Sequence, residues 1–369
     1  MKTRAAVVYG PGRPFEITEL DLRKPGEGQV LVRFSAAGLC HSDLHLLSGL
    51  TKPRYPLVGG HEGAGIVEEV GVGVGKVKAG DHVVCSFIPS CGTCRYCSTG
   101  RQQLCDEGKS ILQGCLPDGS FGFSDNGADV GGMCMLGTFS ERATVSQHSV
   151  VKVDEWLPLE TAALVGCGVP TGWGAAVNTA GVRPGDTTVI FGAGGIGMNA
   201  VQGAVRAGAK FVVVVDPVEF KRETALRFGA THAFARAGEA IDKVRELTWG
   251  QMADQALVTV GLAEEQVLGE AFDAIGKGGT MVIVSISDTE GRALHLSSRM
   301  LTLYEKTVKG CQFGSCNPQY DIVKLLRMYD SGALKLDELI TTRYNLDEVN
   351  QGYADLEAGK NIRGVIVFD

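Results

Sequence analysis

Thr187 to Gly197 reads TTVIFGAGGIG, an apolar run that stops abruptly in a cluster of glycines. A run of that length bounded by glycine is a strand buried on both faces. MNAVQGAVRAGA follows, with small apolar residues on one helical face, then a second buried strand, FVVVVD. FKRETALRFGA reads as a helix closed by Gly229, and QALVTVG and GGTMVIVSIS repeat the buried-strand type. Strands alternating with helices require a parallel, doubly wound sheet, expected over residues 170–314.

The glycines carry a second message. Gly192, Gly194, Gly195 and Gly197 form G-x-G-G-x-G at the strand-to-helix junction, and Asp216 ends the next strand 19 residues after Gly197. Glycines there permit a tight turn and let the backbone approach a pyrophosphate, which the helix N-terminus stabilises. An acidic residue at the second strand end accepts hydrogen bonds from ribose hydroxyls and repels a 2′-phosphate, favouring NAD over NADP. A purely structural glycine turn is the competing reading.

The first 150 residues differ in character. VLVRFSAAG, GAGIVEEVG and DHVVCSF read as short strands punctuated by Gly and Pro. Residues 106–137 are Gly-rich and polar, and read as a long surface excursion. Near the end, YDIVKLLRMYDSGAL is an amphipathic helix and IRGVIVFD a closing strand, a tail expected to return to the first domain. Two domains result, 1–169 with 315–369, and 170–314, as 369 residues exceed what one core normally holds. There is no internal repeat and no low-complexity segment.

Composition excludes several functions. A net charge of −7 argues against a nucleic-acid partner and against an anionic membrane surface. No apolar run reaches membrane-spanning length, and the apolar stretch in MKTRAAVVYGPG is too short for a secretory signal. Eleven cysteines are too few for a disulfide scaffold at this size; they read as metal ligands and buried thiols of a cytoplasmic protein.

Four of them, Cys91, Cys94, Cys97 and Cys105, are spaced C-x2-C-x2-C-x7-C. Four thiolates at this spacing close a tetrahedral Zn²⁺ with no open position, a structural site. Cys40, His61 and Cys167 are a second candidate set: two thiolates and an imidazole leave one position for water or substrate. Cys167 alone also reads as a buried thiol. His41 and His45, spaced i, i+4, are a weaker candidate pair, and His82 reads as a satisfied strand histidine.

Cys40-His-Ser-Asp-Leu-His45, Gly60-His-Glu-Gly-x-Gly65, the cysteine quartet and GAGGIG occur in one order along the whole chain. Together they resemble the zinc-dependent alcohol dehydrogenases of the medium-chain dehydrogenase/reductase superfamily. The resemblance implies an α/β protein: a GroES-like β-rich catalytic domain with two zinc sites, plus a Rossmann domain that binds NAD(H). It implies reversible oxidation of a small primary alcohol to an aldehyde, by a homo-oligomer, dimer or tetramer. Zinc would act as Lewis acid and NAD as hydride acceptor.

By the same resemblance Cys40, His61 and Cys167 bind the catalytic zinc, with Glu62 beside it and Asp43 holding the His61 ring. Ser42 would hydrogen-bond the alcohol and start a proton relay ending at His45 near the surface. His41 would face the cofactor pyrophosphate, as would Arg363, while Lys221 would contact the adenosine ribose. Phe87 and Leu104 would wall the substrate pocket. Glutathione-dependent formaldehyde dehydrogenase is one alternative, but Thr51 stands where that enzyme type has an acidic residue, and its anion-binding arginine is unmatched, Lys109 being the nearest base. The likeness is greater to the nicotinoprotein, NDMA-dependent alcohol dehydrogenases, which keep their NAD bound. A zinc-stabilised binding protein would need only the quartet, and a zinc-free reductase of the superfamily only GAGGIG. Zinc per chain separates them: two, one or none.

Overall fold

The computed structural model describes residues 1–286 and 294–369. Its contacts divide the chain into Met1–Cys167 with Asn317–Asp369, and Gly168–Cys316. These boundaries fall two residues from the expected ones on each side.

In the Gly168–Cys316 unit, six strands form one parallel sheet: Thr187–Phe191, Phe211–Val215, His232–Phe234, Ala253–Val258, Ile275–Ile283 and Thr307–Gly310. Their order across the sheet is third, second, first, fourth, fifth, sixth. The order reverses beside the first strand, at the end of which the glycine turn lies, where open α/β sheets bind ligands. Val189, Ile190, Val213, Val214, Ala256, Leu257, Met281 and Val282 are fully buried, which is why the inner strands read as continuous apolar runs. His232–Phe234 and Thr307–Gly310 gave no such signal. They are the two edge strands, only partly buried, and too short to show a period. Of the strand expected over 278–287, Ser287 lies outside the described residues.

The other unit is β-rich. Lys2–Val8, Glu16–Leu22, Phe123–Asp125, Ala128–Gly132 and Leu57–Val58 close a small barrel. A seven-stranded sheet runs Val150–Lys152, His82–Cys85, Gly63–Val70, Gln29–Gly38, Arg363–Val367 and Ile340–Tyr344, with Arg142–Ser146 also on Gln29–Gly38. The chain's last strand thus pairs with Ala36–Gly38, near its beginning. Before it, the helix Pro318–Asp330 starts with Pro318 at its first position, while the Asn317 side chain accepts the Gln319 N–H at 3.1 Å. It buries Ile322, Leu325 and Leu326.

Residues 106–137 are not the surface excursion expected. They contribute two barrel strands and bury Leu116, Phe123, Val130 and Met133–Leu136. Their many glycines serve close packing: a Cβ on Gly131 would lie 2.8 Å from Leu57 Cδ1. Among the described residues, no helix is long and apolar enough to cross a membrane.

Candidate functional site

Sheet register assembles the principal cluster. Ala37 pairs with Gly63, and Gly38 with Val365. Cys40 therefore leaves the sheet at the end where His61 and Glu62 enter it and where Arg363 begins its strand. Cys167 arrives after the turn Leu164–Gly166, and a Cβ on Gly166 would collide with the Cys85 carbonyl. Glycine is also required just before His61. Gly60 has φ +82°, and a Cβ there would lie 2.5 Å from the Phe139 ring. One ligand atom from each of Cys40, His61, Glu62 and Cys167 lies within 4.8 Å of the others, all four residues buried.

The charges around this cluster are poised for a cation. The Cys167 thiol donates to Cys40, which holds Cys40 well below its usual pKa despite burial, with His61 and Arg363 helping. The same hydrogen bond, with burial, drives Cys167 far upward. Burial opposes protonation of His61, but Asp43 and Cys40 outweigh it and raise its pKa well above the usual value. Burial pushes Glu62 up to about 7, against the pull of the Arg363 guanidinium. A metal would replace these shared protons with its own charge.

Asp43 is the support behind His61. Its Oδ1 accepts the Gly60 N–H at 2.8 Å, and its Oδ2 lies 3.4 Å from His61 Nδ1. That leaves Nε2 of His61 for a metal. The Phe87 ring meets the His61 ring edge-on at 5.8 Å. The Ser42 hydroxyl lies 3.6 Å from the Cys40 sulfur.

One expectation changes. His45 is 5% exposed rather than at the surface, because its helix, His41–Leu47, turns that face inward. His41, exposed at the start of the helix, has its ring 5.6 Å from that of His45. Arg363 is buried and donates to Glu62 through one terminal nitrogen. Leu104 sits 42% exposed on the turn Gln102–Leu104 of the cysteine lobe. A smaller correction concerns His82, whose Nδ1 is buried without a hydrogen-bond partner. His41 and His45 are not among the metal-compatible groups of the described residues.

The cysteine quartet forms a second cluster, its sulfurs within 4.8 Å of one another. Backbone N–H groups point at them: Cys94 N–H to Cys91 Sγ at 3.3 Å and Cys97 N–H to Cys94 Sγ at 3.4 Å. Burial raises the Cys91 pKa, but the Cys94 N–H and the N–H and hydroxyl of Thr93 prevail and bring it down to about 6. Backbone N–H donors outweigh burial at Cys94 too, whereas burial raises Cys97 and Cys105, so a metal would displace the protons those two keep.

In the parallel-sheet unit, Gly192 has φ +96° and a Cβ on it would lie 2.9 Å from the Val260 nitrogen. A Cβ on Gly197 would collide with the Gly192 carbonyl, whereas Gly194 faces open space, and the helix Gly195–Arg206 begins there. Asp216 does more than expected: Oδ2 accepts the Ala193 N–H at 2.8 Å and Oδ1 the Val218 N–H at 2.9 Å. It clamps the glycine turn as well as ending the second strand. Lys221 is half-buried on the helix Glu219–Arg227. Sequence reading passed over Thr259, whose hydroxyl donates to the Gly192 carbonyl at 2.8 Å, and Arg222, which donates to the Asp216 carbonyl at 2.9 Å. A threonine inside the apolar run LVTV was the available signal for the first.

Residues 26–155 match the alcohol dehydrogenase GroES-like domain, and residues 195–331 the zinc-binding dehydrogenase family. The chain belongs to the zinc-dependent alcohol dehydrogenase family. It is 67% identical to the NDMA-dependent alcohol dehydrogenase of Amycolatopsis methanolica, covering 100% of this chain and 99% of that one. Alcohol dehydrogenase B of Mycobacterium tuberculosis is 47% identical with the same coverages. The crystal structure of benzyl alcohol dehydrogenase from Acinetobacter calcoaceticus superposes with a TM-score of 0.93, at 31% identity and full coverage of both chains. The family uses zinc and NAD(H), and this alcohol dehydrogenase carries two cysteine-containing clusters and one glycine turn that fit them. Four converging ligand residues are more than a binding module or a zinc-free reductase needs.

Proposed function

We propose that the chain oxidises small primary alcohols reversibly to aldehydes at the Cys40–His61–Cys167 cluster, and that it is of the NDMA-dependent type whose NAD stays bound. The convergence of these three residues from distant segments, with Asp43 behind His61, carries the reading of the site. Identity of 67% over the full chain to an NDMA-dependent enzyme supports the sub-type. A zinc ion held there supplies a Lewis acid that makes the alcohol easier to deprotonate, and NAD supplies the hydride acceptor. Cys40, Cys167 and His61 are the ligands, with Glu62 and its partner Arg363 adjusting charge beside them. Ser42 takes the alcohol proton, Phe87 bounds the substrate, and His41 and Lys221 face the cofactor. Six of the eleven cysteines gather in the two candidate metal clusters, which supports a reducing cytoplasmic setting. Exposed Leu301 and Leu303 lie just before the unpaired edge strand Thr307–Gly310, which supports a homo-oligomer. The test of the sub-type is the absorbance spectrum of freshly purified protein after gel filtration. A persisting nicotinamide band, with NDMA reduction in the absence of added NAD, is expected; loss of the band would restrict the reading to an ordinary exchanging dehydrogenase.

Asp216→Ser is expected to lower NAD use and raise the NADP/NAD preference ratio at least about tenfold, ~1.4 kcal/mol. It also leaves the Ala193 and Val218 N–H groups without their acceptor, so stability should fall by about 1–3 kcal/mol. Kinetics with both cofactors and a denaturation curve check both halves; an unchanged ratio would mean that another residue reads the ribose.

His45→Gln should slow alcohol oxidation by roughly 10², the lower end for a group in proton transfer. Because His45 is buried, its outward path is the exposed His41 ring beside it rather than bulk water. Both zincs should remain. Initial rates against pH decide: a wild-type profile would remove His45 from the relay.

A further inference from the structure

We infer that Tyr353 is a positioning residue for the Cys40–His61–Cys167 site, its hydroxyl completing a Tyr353–Asp43–His61 chain behind the metal. This rests on the metal role proposed above for those three residues. Tyr353 lies on the helix Val349–Glu357 and is 2% exposed. Its ring packs against Phe15 at 5.7 Å and Phe139 at 6.2 Å, which themselves meet edge-on at 5.8 Å. Just before His61, a Cβ on Gly59 would collide with both phenylalanines and a Cβ on Gly60 with Phe139. The tyrosine ring is therefore fixed by the packing that sets the His61 backbone.

Three buried polar atoms are left without a hydrogen-bond partner in this neighbourhood: Tyr353 Oη, Asp43 Oδ2 and His61 Nδ1. They are complementary, two donors and one acceptor. Asp43 Oδ1 accepts the Gly60 N–H, whereas Oδ2 has lone pairs for both donors. Unpaired buried groups of this kind are costly, and here they face one another across the back of the candidate metal site. Tyr353 lies close enough to Asp43 and Cys40 to interact with both, and its phenol is an O–H donor at neutral pH. A tyrosine whose only function was packing would need no hydroxyl at this position. When the ion draws on His61, the chain's two donors can share Oδ2 and lock both the carboxylate and the ring.

The experiment is Tyr353→Phe in the intact zinc-loaded enzyme, which keeps the ring and removes the hydroxyl. Zinc release to a chromogenic chelator is followed as two phases, and Cys167→Ser identifies the phase belonging to the catalytic cluster. Expected is release from that cluster faster by about tenfold, the low end for outer partners of a metal ligand. The quartet phase should be unchanged, and the melting temperature of the metal-free protein unchanged or higher. A catalytic phase indistinguishable from wild type overturns the inference. So does acceleration of both phases or a lower melting temperature of the metal-free chain, either of which assigns the effect to packing. If Cys167→Ser removes no phase, the metal reading of the cluster fails instead.

Discussion

Cys167→Ser is expected to cost one zinc per chain and nearly all turnover while the fold persists. Cys167 is buried, and its thiol donates to the Cys40 sulfur. A serine hydroxyl does not become an anion under the same conditions, so the cluster loses one of its two thiolates. Lewis-acid activation contributes several kcal/mol to the barrier, so the loss should exceed about 10³-fold at 1.4 kcal/mol per decade. The fold should survive because the surrounding residues, among them Ala162, Ala163, Leu164 and Val165, are fully buried apolar groups that need no metal. Metal analysis with a steady-state assay checks it. Two zincs per chain and retained activity would show that Cys167 is merely a buried thiol.

Cys94→Ser should do the opposite: it should weaken the structure first. The segment from Cys91 to Cys105 has almost no core of its own, since only Cys97 and Cys105 within it are buried. Its order rests on the four sulfurs, the backbone N–H groups that face them, and the His148–Glu107 contact at 2.8 Å beyond its end. Structural zinc contributes on the order of 10 kcal/mol to the folding of small zinc-dependent peptides. Even a fraction of that, about 4 kcal/mol, would lower Tm by roughly 10 °C. Calorimetry of both cysteine variants, with limited proteolysis of the 91–110 segment, tests the division of labour. Equal loss of thermal stability in the two would contradict it.

What was legible in the chain was what neighbours in sequence encode. The strands Thr187–Phe191 and Phe211–Val215 show as apolar runs because both their faces are buried. The glycine turn shows because Gly192 needs a positive φ and Gly197 a missing Cβ. The quartet shows because four ligands for one ion fit within a single short loop. The edge strands His232–Phe234 and Thr307–Gly310 were silent, since half-exposed residues carry no apolar run.

The sequence by itself determined the parallel sheet, the cofactor turn, the quartet and, through the resemblance, the candidate ligands Cys40, His61 and Cys167. Tertiary structure alone decided that Arg363 pairs with Glu62 across 301 residues, that Tyr353 faces Asp43, and that His45 is buried. It also drew residues 106–137 into the small barrel and left Leu104 exposed on the cysteine lobe. The reason is range. Backbone conformation, capping and periodicity are set within a few residues, so they can be read locally. Which buried oxygen faces which donor depends on sheet register such as Ala37 against Gly63 and Gly38 against Val365, and on helices docked from the far end of the chain.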